Sequence, residues 1–126
     1  MQFHRLWTPL TQHVSIAADN IAELCSNTIK QGHQIISAQI LTFGNAWRGL
    51  ITYQINDNPV PRDNVVVVKD ITKTCPSPDD CASIFEDRYE DIMKSNGKII
   101  MAQILPGYDI QFGSLYEGVL IYGYGY

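Results

Sequence analysis

The sequence predicts an α+β protein, an internally duplicated strand-helix-strand-strand pattern giving a sheet of about six strands with two helices packed on it. Three observations carry this. Residues 34–41, Gln-Ile-Ile-Ser-Ala-Gln-Ile-Leu, return 64 positions later as Lys-Ile-Ile-Met-Ala-Gln-Ile-Leu at 98–105. Each copy follows a helix-like segment that ends in glycine, Gly32 or Gly97. Each precedes a Gly-to-Tyr apolar run, Gly49 to Tyr53 and Gly118 to Tyr122. The expected organisation is one domain of two pseudo-repeats, 1–56 and 64–126, with 57–63 as linker.

The first repeat opens on Gln2 to Trp7, where Phe3, His4, Leu6 and Trp7 favour an extended, partly buried segment. Thr8-Pro9 reads as a helix start, a capping hydroxyl followed by proline, and Ser15 offers a second start. Leu10, Val14, Ala17, Ile21, Leu24 and Thr28 then form one apolar stripe at helical spacing. Lys30 suits the negative end of the helix dipole, and Gly32 the left-handed cap. The repeat strand places Ile36, Ala38 and Ile40 towards the helix, as Ile100, Ala102 and Ile104 should be placed in the second half. Phe43 to Ala46 is a tight connection into a strand that alternates Trp47, Gly49, Ile51, Tyr53, Ile55 with Arg48, Leu50, Thr52, Gln54. Pro59 and Pro61 make the linker hostile to helix.

In the second repeat, Val65 to Val68 is a continuous apolar run, the mark of a strand covered on both faces. Ser77-Pro78-Asp79-Asp80 is a strong helix start, Ala82, Phe85, Tyr89, Ile92 and Met93 form the buried side, and Asn96-Gly97 stops the helix. A loop from Pro106 to Gly113 leads to a closing strand, about 115–124, apolar on both faces. The expected relation between the halves is a pseudo-twofold axis. The greasy closing strand predicts self-association as a homodimer or higher oligomer, with Val119 and Ile121 at the contact.

This element order resembles the tandem strand-helix-strand-strand modules of the gyrase-inhibitor-like small-molecule-binding domains. The resemblance spans nearly the whole chain and implies a groove for a small ligand, but carries over no individual residue. A single half is also similar to short strand-helix-strand-strand proteins of sporulating bacteria and their phages.

Composition narrows the function. A net charge of −4 and an isoelectric point near 5.1 argue against a duplex nucleic-acid binder, which needs a basic face. No apolar run approaches a membrane span, and Met1 to Trp7 lacks a signal-peptide layout, so a cytoplasmic protein is expected. Of Cys25, Cys75 and Cys81, the last two flank a proline-rich loop, and free thiols are the expectation. A tautomerase reading fails because Gln2 stands where a catalytic proline is required. The gap from Cys75 to Cys81 has phosphatase-loop length, but position 81 is not arginine and Pro76 and Pro78 remove cradling amides. His4, His13 and His33 have no ligand spacing, so no metal site, catalytic residue or cofactor is assigned.

One constellation remains. Trp47-Arg48 aligns with Tyr116-Glu117 under the repeat, an aromatic beside a guanidinium suited to a nucleotide-like anion. Tyr108 and Asp109 on the following loop would close over it. The plain alternative is that Trp47 fills the core and Arg48 is solvated. The expected function is a non-catalytic small-molecule-binding module. The alternatives are a protein-binding inhibitor of phage or mobile-element type acting on a host protein, and, more weakly, a small enzyme without a recognisable motif.

Overall fold

The computed structural model describes the backbone of residues 2–109 and 113–126, and their side chains apart from those of 107–109 and 113–114. The order is β1 (Gln2–Trp7), α1 (Val14–Lys30), β2 (Gln34–Phe43), β3 (Ala46–Ile55), β4 (Val66–Ile71), α2 (Pro78–Lys94), β5 (Lys98–Asp109) and β6 (Gly113–Tyr124). The fold is α+β, with its six strands in two three-stranded antiparallel sheets, β1-β3-β2 and β4-β6-β5. Each half is strand-helix-strand-strand with the last strand in the middle of its sheet.

The halves share local devices as well as order. β2 carries a bulge between Ile35 and Ser37, and β5 one between Ile99 and Met101. Thr8 donates its N–H to the Gly49 carbonyl at 2.9 Å, and its hydroxyl accepts from the Gly49 N–H at 2.6 Å. Thr72 does the same to Gly118 at 2.9 and 2.8 Å. In each sheet this lets a helix side chain, Ile21 or Phe85, rest directly on the glycine of the central strand.

These brackets explain where the first helix begins. Thr8 is buried and serves Gly49, so it does not cap a helix. α1 starts at Val14 with His13 as its N-cap, near the second start the sequence offers, and Leu10 is left exposed outside the stripe. α2 begins as its sequence indicates, with the Ser77 hydroxyl accepting from the Asp80 N–H at 3.2 Å. Ile36 is the extra residue of the first bulge and turns outward, whereas Ala38 and Ile40 face the core. β1 is exposed along its whole length, and Val66 of β4 is exposed too. The loop expected from Pro106 is instead largely ladder, with Tyr108 paired to Ser114 and Asp109 to Gly113.

The halves do not meet across a twofold axis. α1 packs on β2 and β3 of its own half and also on β4 and β6 of the other, whereas α2 packs on β5 and β6. The layers run first sheet, α1, second sheet, α2. Val119 and Ile121 of β6 face α1 together with Met101 and Leu105, and alternation turns Leu120 and Tyr122 to α2 beside Phe85 and Ile92. The closing strand is apolar on both faces because the chain covers both. Val119 and Ile121 are 0% exposed, so they are core residues and not an intermolecular contact.

Gln103 holds the sheets in register. Its side-chain amide donates to the Ile40 carbonyl at 2.9 Å and accepts from the Ile40 N–H at 2.8 Å, replacing a neighbouring strand at the free edge of β2. Lys69 of β4 reaches Asp19 of α1 at 2.7 Å. Cys25, Cys75 and Cys81 are buried free thiols. No helix among the described residues is long and apolar enough to cross a membrane.

Candidate functional site

The head-to-tail stack leaves a groove of about 850 Å³ where the two halves and the linker meet. Its apolar lining includes residues of the two bulges, Ile35 and Ile36 on one side and Ile99 and Ile100 on the other. Bulges bend strands and re-aim side chains, which opens space at this end of the sheets. The polar lining includes His33, Gln34, Gln54, Asp57, Arg62 and Lys98.

Each cation is placed by local chemistry. Gly32 ends α1 at φ +91°, and a side chain there would meet the Val60 backbone at 2.7 Å. The linker therefore lies close against the helix end, and the Arg62 N–H donates to the orphan Lys30 carbonyl at 2.9 Å. That bond delivers the Arg62 side chain to the groove. Lys98 begins β5 two residues after Asn96, which turns the chain at φ 60°. Its ammonium lies 5.0 Å over the ring of Tyr126. Gly125, at φ +90°, folds Tyr126 back onto Gly123.

Among the described residues neither Arg62 nor Lys98 has an ion-pair partner, and the groove is lined by one acidic side chain, Asp57. The His33 Nδ1 accepts from the Asn56 N–H at 3.2 Å, which puts the ring proton on Nε2. The Tyr126 hydroxyl is buried and has no hydrogen-bond partner among the described residues. Burial first, and the nearby Cys25 thiol second, push its pKa up to about 12, so it stays a neutral phenol. Together these groups can bind a small anion that also has an apolar or planar body. They contain no nucleophile-base pair, and among the described residues no group of three His, Cys, Asp or Glu gathers around one point.

The residues singled out in the sequence lie elsewhere. Trp47 and Arg48 are adjacent on β3 and so point to opposite faces. Trp47 packs against the core beside α1 and is pinned by bonds of 2.7 and 2.8 Å to Thr11. Arg48 lies on the outer face, where its Nε donates to the Thr8 carbonyl at 3.2 Å. Its guanidinium sits 4.5 Å over the ring of Trp7 and 5.8 Å over that of Phe43. An aromatic does accompany this guanidinium, but it is Trp7 rather than Trp47. Tyr116 is pinned to Cys75 as Trp47 is to Thr11, and Glu117 is half-buried opposite Leu105. None of these four lines the junction groove. The side chains of Tyr108 and Asp109 lie outside the described residues.

Arg62, Lys98, His33 and Tyr126 escaped the sequence reading. Their signal was weak: Arg62 sits in the linker and Lys98 opens the second repeat strand, both at the joint where a groove between halves would form. The chain matches no family model, no curated protein and no solved structure.

Proposed function

We propose that the protein is a non-catalytic binding module that takes a small anionic, nucleotide-like ligand in the groove between its halves. The observation that carries this reading is the pair of cations without ion-pair partners among the described residues, Arg62 and Lys98, beside apolar side chains in a groove of ligand size. An arginine gives a phosphate or carboxylate two parallel hydrogen bonds, and lysine adds a point charge. The buried Tyr126 hydroxyl, without a hydrogen-bond partner among the described residues, supports the reading, since a small shift of its ring would offer a donor.

The test is a thermal-shift screen with mononucleotides, cyclic nucleotides and aromatic carboxylates. A ligand at about 100 times its Kd stabilises by roughly 2.7 kcal/mol, which is about 10 °C for a domain of this size. Arg62→Ala and Lys98→Ala should each abolish the shift while leaving the melting temperature of the free protein within about 2 °C. Loss of the shift in Arg48→Ala alone would move the site to the Trp7–Arg48 face. A second reading, a protein-binding factor, is favoured by exposed Phe3, Trp7 and Phe43 on that same face. A screen without a hit would turn the case to it.

A further inference from the structure

Head-to-tail stacking leaves two ends, and each end carries the unused half of a contact already made inside the chain. In that internal contact the second sheet sits on α1. Gln103 clamps the Ile40 edge, and Lys69 pairs with Asp19. Every part has a counterpart 64 residues away. Gln39 stands in the place of Gln103, on the outer face of the first sheet, and it is exposed with no side-chain hydrogen bond among the described residues. Ile104 stands in the place of Ile40. Its partner Gly118 spends both backbone groups on Thr72, so Ile104 directs its own N–H and C=O to the free edge of β5.

Charge follows the same correspondence. Arg5 takes the place of Lys69, and with Arg48 it gives the outer face of the first sheet two cations and no carboxylate. Asp19 itself corresponds to Ser83, but the surrounding α2 surface carries Glu86, Asp87 and Glu90, all exposed, with Glu90 paired to Lys94 at 3.4 Å. The sheet face is therefore basic and partly apolar, and the helix face it would meet is acidic.

We propose that a second copy of this chain repeats the internal contact. The outer face of its first sheet seats on α2 of its neighbour, with Gln39 clamping the Ile104 edge and Arg5 and Arg48 meeting Glu86 and Asp87. Phe3, Trp7 and Phe43, 55%, 44% and 47% exposed, are covered in the process. Such a contact is heterologous: each copy offers one end and accepts the other, so association extends as a chain and does not close as a dimer.

Sedimentation velocity of the full chain, from about 10 μM to 1 mM at low salt, tests this. The mean mass should climb with concentration past the dimer, and fall by at least half when salt reaches about 0.5 M, where screening shortens to a few ångström. Gln39→Glu and Arg5→Glu should each hold the protein as a monomer with circular dichroism unchanged. Mixing Arg5→Glu with Glu86→Arg should restore association by pairing the reversed charges. A wild-type monomer throughout, a plateau at dimer, or association that survives both single variants would overturn the proposal. So would a monomer whose aromatic face binds a single-stranded oligonucleotide instead.

Discussion

Replacing Gln103 by glutamate tests the joint between the two sheets most directly. The wild-type amide is a donor to the Ile40 carbonyl and an acceptor from its N–H, at 2.9 and 2.8 Å in a partly buried position. A carboxylate keeps the acceptor, loses the donor, and sets a negative charge against a carbonyl oxygen. Losing one hydrogen bond costs about 0.5–1.5 kcal/mol, and leaving the carbonyl unmet costs about 1–3 kcal/mol. The expected loss is roughly 2–4 kcal/mol, or about 8–15 °C in melting temperature at this chain length. The penalty should depend on pH. Lost hydration and the Ile40 carbonyl raise the pKa of the new carboxyl in the folded state above its unfolded value of about 4.3. Stability is then near wild type below that value and is lost as pH rises through the folded pKa. Melting curves at pH 3.5 and 7, with exposed Gln39→Glu as control at low protein concentration, provide the measurement. Equal melting temperatures for Gln103→Glu and wild type at pH 7, or an equal loss in the control, would refute the bridging role.

Two further outcomes follow from the core. Val119→Lys buries an ammonium between β6 and α1 at a position 0% exposed, so it should unfold the protein or cost more than about 4 kcal/mol; a folded, soluble variant by circular dichroism would contradict the layer order. Burial pushes the Cys25 thiol from 9.0 up to about 12, so stability should be flat below pH 9 and fall at about 1.4 kcal/mol per pH unit from there towards 12. Chemical denaturation across that range should show a shallower decline in Cys25→Ala.

Local chemistry was legible in the residues. Ser77-Pro78 capped a helix because a hydroxyl at that place meets an orphan N–H whatever the surroundings. The repeated Ile-Ile-X-Ala-Gln-Ile-Leu gave strands in both halves, since alternation needs only a neighbour on one face. Thr8 misled because its hydroxyl had two uses. Capping a helix is a local demand, but the buried Gly49 N–H, 41 residues away, required an acceptor and took it. The candidate site was less legible still. Arg62, Lys98 and Tyr126 are separated by 36 and 28 residues, and no spacing rule links them. The amino-acid order by itself determined α+β elements, two similar halves and a closing strand that had to be covered on both faces. Only tertiary packing decided that α1, not a second molecule, covers the second face. A side chain's polarity states how much burial it wants and not which surface supplies it, so the choice rested on how sheet, helix and the Gln103 bridge fit together in space.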